Sequence, residues 1–482
     1  ATENETERKE FISIIETNNQ LLLQLVSNIL DLSKIEANTL EFNYQNVDLN
    51  QLAKDVENTV RGRLQTGVAL QFVPEVPVCY VQTEHNRLSQ VLINLLVNLF
   101  VGLSLGANVV AARCFGARDE KGVQDTVHTA VALGLVSGVL LAVVGFCTAR
   151  GLLELMSCPE DVIDLSALYL KIYFIGMPMT MLYNFSSALL RAMGDTKRPL
   201  YCLAAAGVIN VVLNLFFVIV CNMDVAGVAV ASIISQYFSA ILVTAALLRS
   251  RESYCLRFSQ LRFHKTRTKA ILSIGIPSGL QNAIFALANL FIQRGVNTFS
   301  ATMVAGNSAA TNADALVYDV MQAFYTACGS FIGQNYGAGK KDRIRRTFLI
   351  STAYAFGAGL LLGLGLLLFG RPFLSLFTTD PQVMDAGMYR LTVMSVSYCV
   401  SAFMDGAIAA SRGLGKSAVP MVIVILGSCV FRIIWVYTVF AWFGTITSLY
   451  LLYVFSWTIT AAAEIIYFIR IYRQATADLA AA

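Results

Sequence analysis

The stretch ALLRAMGDTKRP at residues 188–199 returns 221 residues later as AASRGLGKSAVP at 409–420, and the same offset carries Phe115-Gly116-Ala117 onto Tyr336-Gly337-Ala338. The background is a series of apolar runs, each able to cross ~30 Å of hydrocarbon, separated by short polar loops. The chain therefore contains a duplicated membrane domain. Two pseudo-equivalent helical bundles facing one another place a substrate path at the repeat interface, a design that recurs among secondary transporters.

Composition excludes an ordinary soluble protein. Only 14% of the 482 residues are charged and the mean hydropathy is +0.62, whereas about a quarter of a soluble chain is charged. The ten cysteines are scattered, with no C-x-x-C and no neighbouring histidine, so neither a disulfide framework nor a metal site is expected. Charge is unevenly placed. Residues 1–91 hold 13 Asp/Glu against 7 Lys/Arg, about −6, and the remaining 18 against 28 give about +10.

The first 91 residues are soluble in character. Across residues 8–38 apolar positions such as Phe11, Ile14, Ile15, Leu22, Leu25 and Ile29 recur at three- and four-residue steps, which predicts an amphipathic helix that pairs with others. A strand-like stretch at 68–72 and a second helix near His85 follow. The phrases LDLSKIEAN (30–38), VDLNQL (47–52) and NRLSQVLINLLVN (86–98) resemble sensor histidine kinases, at the second dimerisation helix and the opening of the ATP-binding domain. The resemblance is partial. The family's phosphoacceptor histidine would precede the chain, and His85, His128 and His264 stand in other contexts. The glycine-rich nucleotide boxes do not follow Asn98, and Gly363 and Gly365 lie in an apolar span without a phosphate-loop context. A sensor kinase is thus disfavoured.

From about Leu92 the text changes. Spans are predicted at about 93–113, 126–148, 163–189, 200–221, 225–248, 270–293, 302–333, 347–370, 383–410, 418–442 and 447–469, roughly eleven. GANVVAARCFGARDE, LLRAMGDTKRPL, GIPSGLQNAIFALANLFIQ, FIGQNYGAGKKDR and ASRGLGKSAVPM resemble the multidrug and toxic compound extrusion (MATE) family over residues 92–475. That family has twelve spans in two six-helix lobes. The resemblance implies that the first span, which bears a functional aspartate in many members, is replaced here by the kinase-like fragment. Leu92–Asn98 suits both families, so the seam is expected within it, as from recombination or an assembly artefact. The predicted organisation is a small soluble α(+β) fragment at 1–91, an N-terminal lobe at 92–250, a basic cytoplasmic linker at 251–269 and a C-terminal lobe at 270–475. The fold class is an all-α polytopic membrane protein of two pseudo-symmetric lobes.

Basic residues cluster at Arg113/Arg118/Lys121, Arg191/Lys197/Arg198, 249–269, 340–346, Arg412/Lys416 and Arg470/Arg473, and the alternate loops hold little beyond Arg150, Arg294 and Arg371. The positive-inside rule turns the first set and the C-terminus toward the cytoplasm. An odd span count then sends residues 1–91 outside, a poor position for an acidic segment without an obvious signal peptide.

Ionisable groups inside a membrane are expensive and are functional candidates by default. Asp405, seven residues before Arg412, is the leading one, and its counterpart at the 221 offset is Asn184. A lone carboxylate there can bind Na⁺ or take up a proton, or be satisfied by a neighbouring helix or a water cavity. Asp314 matches an acidic position common in the resembling family. Asp319 lies five residues on, about 140° around the helix, so both cannot face one point. Glu464, six residues before Arg470, reads as a snorkelling side chain. Asn210 and Asn214, one turn apart, line the cavity or join helices by hydrogen bonds. Pro277 is the candidate hinge, and Gln281, Asn282 and Asn289 follow it.

The reading is a transporter and not an enzyme. It exports amphipathic, often cationic compounds by rocking of two lobes, in antiport with Na⁺ or H⁺ and without a cofactor. Its partners are small-molecule substrates and the bilayer, with no nucleic acid. A monomer in a bacterial inner membrane is expected. A lipid-linked oligosaccharide flippase of the same superfamily is the alternative, against which stands a cavity expected to be poor in cations.

Overall fold

The computed structural model describes residues 85–155, 160–221 and 223–481. The chain divides into two compact units, residues 1–88 and 89–482. The kinase-like helix and the strand-like stretch of the first unit lie outside the described residues.

Among the described residues the second unit is helical and contains no strand. α1 (His85–Gly116), α2 (Glu120–Leu155), α3 (Glu160–Ile175), α4 (Met177–Ala192), α5 (Lys197–Leu215) and α6 (Asp224–Leu248) form one lobe. α7 (Lys265–Val296), α8 (Ala301–Gly337), α9 (Lys341–Leu374), α10 (Pro381–Gly413) and α14 (Ile446–Ala481) form the other. Between α10 and α14 runs a rod at 418–443, built of α11 (Ala418–Val424), α12 (Phe431–Trp435) and α13 (Ala441–Phe443) joined by π-helical turns. Among the described residues eight helices or rods are long and apolar enough to cross a membrane. α1, the α3/α4 pair and α8, which the apolar runs predicted as spans, are not among them. α8 has the length, 37 residues, but Asn307, Asn312, Asp314 and Asp319 lower its hydropathy. The predicted span at 163–189 is two helices, divided at Gly176 ahead of Pro178. α1 starts at His85, upstream of the expected seam, and runs unbroken through Leu92–Asn98.

The duplication is visible in three dimensions. α2 and α9, α3 and α10, and α5 and the 418–443 rod each start 221 residues apart. The turns that close α4 and α10 place Gly194 (φ 94°) and Gly415 (φ 73°), again 221 apart, in the left-handed region where a side chain is strained. An ion pair recurs too: Arg150 with Asp164 at 2.9 Å, and Arg371 with Asp385. The counterpart of α7 falls at residues 44–75, outside the described residues.

The lobes differ in what they bury. α5 is 6% buried over its most apolar stretch and its counterpart, the 418–443 rod, 28%, while α10 reaches 72%. Leu203, Val208, Val211 and Val212 of α5 are exposed, the pattern of a helix facing lipid. The 251–269 linker is docked on α2 at its basic end. His128 bonds the Gln124 carbonyl through Nδ1 and accepts the Arg257 N–H at Nε2, and the Thr129 hydroxyl accepts the His264 N–H. Arg267 pairs with Asp119 at 3.0 Å. Two of the three histidines thus anchor a linker.

Candidate functional site

The polar centre of the molecule lies inside the second lobe. Arg390, on α10 and 5% exposed, donates from Nε and Nη2 to Asp314 Oδ2 of α8 at 2.9 and 2.6 Å. Its Nη1 reaches Asn307 Oδ1 at 2.8 Å, which also accepts the Tyr450 hydroxyl of α14 at 3.0 Å. Tyr398 donates to the other Asp314 oxygen. Both oxygens of Asp314 are therefore occupied. The sequence offers it as a coupling carboxylate; the fold makes it half of a buried ion pair, where a cation must compete with an arginine already in place.

A second guanidinium sits nearby. Arg432, in the 418–443 rod and 1% exposed, lies over the rings of Phe285 of α7 and Tyr453 of α14, each ring centre 4.7 Å away, with Trp457 at 6.0 Å. Its Nε donates to Ser456 at 3.2 Å and its Nη1 to Asn289 at 3.3 Å. Its Nη2 has no partner among the described residues. Tyr453 also stacks with Arg390, at 5.3 Å, so one ring separates the two cations. Sequence reasoning passed over Arg390 and Arg432, although two arginines inside apolar runs were the signal. They place two buried cations inside the second lobe.

The third cluster joins α10, α14 and α7. Asp405 is half-buried, accepts no hydrogen bond among the described residues, and lies within electrostatic range of Arg412 and Arg432. Glu464 is completely buried, and neither carboxylate oxygen has a hydrogen-bond partner among the described residues. It lies within electrostatic range of Arg412 and Asp405. A snorkelling side chain reaches water, so burial overturns that reading. Arg412 donates to Gln281 of α7 at 2.9 Å, and its Nε is unpartnered. Two carboxylates and an arginine thus share a low-dielectric space with few fixed bonds. Such a space can exchange a small cation or proton without dismantling a hydrogen-bond network.

The first lobe carries no counterpart of this chemistry. At the 221 offset Asp314 becomes Ile93, Arg390 becomes Tyr169, Arg432 becomes Val211 and Glu464 becomes Val243, and only Arg412 is retained, as Arg191. Asn184 is half-buried beneath the basic end of α4. Asn210 is used between helices, donating to Ser235 of α6 at 3.2 Å, and Asn214 donates to Asn210 one turn back within α5 at 3.0 Å. Asp319 is exposed, away from the Arg390 pair, and Asn282 is half-buried.

Pro277 lies in an unbroken α7. Proline leaves the carbonyl four residues earlier without its helical donor. Here the Ser417 hydroxyl reaches that carbonyl, Ser273, at 3.3 Å and Ile274 at 3.0 Å. On the other side α7 meets α1 through glycines: a Cβ at Gly102 would overlap the Gly279 backbone, and one at Gly106 the Ile271 carbonyl. The proposed hinge is thus held from two sides. The non-helical kink lies elsewhere, at Phe369 (φ −112°, ψ 17°), ahead of Pro372.

The lobes close on one another at the basic ends. Gly116 abuts Gln334 and Gly337 abuts Arg113, a reciprocal pair in which each residue lies 221 positions from its counterpart. Gln334 donates to the Ala192 carbonyl at 2.6 Å, Ser330 to Asn108 at 2.8 Å, and Arg113 stacks over Tyr336 at 4.7 Å. These contacts seal the end that the positive-inside rule assigns to the cytoplasm.

Comparison with known proteins agrees with this architecture. The family model described as MatE matches residues 87–216 and 277–438. The probable multidrug resistance protein YpnP of Bacillus subtilis is 30% identical over 284 residues, 59% of this chain and 63% of that protein. A FAD transporter of Shewanella oneidensis is 25% identical over 301 residues, 61% of this chain and 66% of its own length. The chain thus spans less than two thirds of the length of these two relatives. A structure titled as the outward-facing conformation of a multidrug resistance MATE family transporter of the MOP superfamily superposes with a TM-score of 0.75 at 20% identity, covering 81% of this chain and 87% of its own.

Proposed function

The chain belongs to the MatE family, and from that premise we propose that it exports amphipathic small molecules across a bacterial inner membrane by alternating access of its two lobes. Export is coupled to Na⁺ or H⁺ through Asp405 and Glu464. The observation that carries the coupling assignment is that Glu464 is buried with neither oxygen hydrogen-bonded, and half-buried Asp405 accepts no hydrogen bond among the described residues, at positions where the other lobe has Val243 and Asn184. Holding an ionised carboxylate away from water costs several kcal/mol unless a cation or a proton is taken up, and a site of that kind responds to an ion gradient. Asp314, already bound by Arg390, positions the core of the lobe instead. The close approach of the lobes at their basic ends supports an outward-facing resting state.

The test is dye efflux from proteoliposomes of the full chain under a Na⁺ gradient and, separately, a pH gradient. Asp405→Asn should abolish gradient-driven efflux while insertion and abundance stay near normal, and Glu464→Gln should reduce it severely. Equal efflux in wild type and both variants under both gradients removes the two carboxylates from coupling.

A further inference from the structure

We propose that Arg432 anchors an aromatic organic anion, so that the cargo carries a carboxylate or phosphate rather than the positive charge that the family resemblance implied. The inference rests on the export reading and specifies its substrate class.

A guanidinium has five N–H donors. At Arg432 one is used by Ser456 and one by Asn289, leaving both donors of Nη2 and the second of Nη1 without a partner among the described residues. The Phe285 and Tyr453 ring centres each lie 4.7 Å from the guanidinium carbon, and the Nη1–Nη2 end, with one N–H from each nitrogen, has the geometry that grips a carboxylate or phosphate in two parallel bonds. Arg390, one ring away, shows the satisfied alternative, with a carboxylate on Nε and Nη2. Asp405 lies within electrostatic range of Arg432 without bonding it, and of Arg412.

The architecture does not require a cation at this position. Its repeat counterpart is Val211, which is 60% exposed on the lipid-facing α5. A buried arginine with an unused edge costs free energy in a membrane, and a ligand that completes it recovers that cost. Arg432 itself is closed off in this state, and its partner Asn289 is the exposed neighbour. Phe285, Tyr453 and Trp457 supply rings for a planar cargo to stack on.

Two dyes with the same tricyclic plane and opposite charge separate the possibilities: fluorescein, an anion, and rhodamine 6G, a cation. Binding is read by fluorescence anisotropy with the full chain in phosphatidylcholine nanodiscs. Wild type should bind fluorescein about tenfold more tightly than rhodamine 6G. Arg432→Gln should weaken fluorescein about tenfold or more and leave rhodamine 6G unchanged or tighter. Arg432→Lys, which keeps charge but loses the fork, should fall between. Preference of the wild type for rhodamine 6G overturns the proposal even if both variants fail to fold, and so does fluorescein affinity within twofold of wild type in a folded Arg432→Gln. Loss of fluorescein binding on adding phosphatidylglycerol to the discs would assign the edge to a lipid headgroup and overturn the substrate claim. Binding does not require transport. Failure of proteoliposomes to move either dye would therefore refute export while leaving the anion result to be read on its own.

Discussion

Replacing Asp314 with asparagine tests the core of the second lobe. The substitution keeps shape but removes the charge that accepts two bonds from Arg390, at 2.9 and 2.6 Å, and one from Tyr398. Hydrogen bonds to a charged group contribute about 1.5–3 kcal/mol each, so three would sum to roughly 4–9. That sum is an upper bound, because an amide oxygen still accepts some of them. It is further offset because Arg390 keeps Asn307 at 2.8 Å and the Tyr450 and Tyr453 rings at 5.3 Å. Removing one partner of a buried ion pair costs about 3–5 kcal/mol, and the retained contacts place Asp314→Asn near 3. For a lobe of this size that is a fall of roughly 6–12 °C in apparent Tm, read by fluorescence-detected size exclusion after heating in detergent. The double variant Asp314→Leu/Arg390→Met, which removes both charges, should recover most of the loss, because desolvating the pair offsets much of its attraction. A Tm within 2 °C of wild type for Asp314→Asn, or losses from the two single replacements that simply add, would show that the pair does not form and would refute the reasoning.

Two further outcomes follow from the packing of α7. Ser417→Ala should cost about 1 kcal/mol, measured as a small Tm loss, since the Ser273 carbonyl freed by Pro277 then loses its donor; no change would mean that another donor takes over. Gly106→Leu, where even a Cβ would overlap the Ile271 carbonyl, should force α1 and α7 apart. Accessibility of Gly116→Cys to a membrane-impermeant thiol reagent on the cytoplasmic side should then rise, in a background free of other cysteines. Unchanged labelling would place the α1–α7 contact outside the closed state.

Much of the fold was legible because a membrane imposes its own arithmetic. A run of about twenty apolar residues has one solution in lipid, and the 221-residue echo of ALLRAMGDTKRP and AASRGLGKSAVP shows that the solution was used twice. Asp405 was legible as a charge in an apolar run. The same signal marks Arg390 and Arg432, charges in apolar runs whose partners hydropathy does not show.

What the sequence could not carry was the choice of partners. Asp314 and Arg390 lie 76 residues apart, and only the packing of α8 on α10 makes them a pair instead of a free carboxylate and a free cation. Glu464, near the end of its span, reads as a surface group until α10 and α14 close over it. For Asn210 the sequence leaves cavity lining and helix joining equally open until α6 brings Ser235 within 3.2 Å. Periodicity and hydropathy are local, one-dimensional properties, and they determined the spans, their order and the duplication. Neutralisation of a buried charge depends on which other helix comes within about 3 Å, so the tertiary structure alone decided which ionisable groups are satisfied and which, at Asp405, Arg432 and Glu464, remain open.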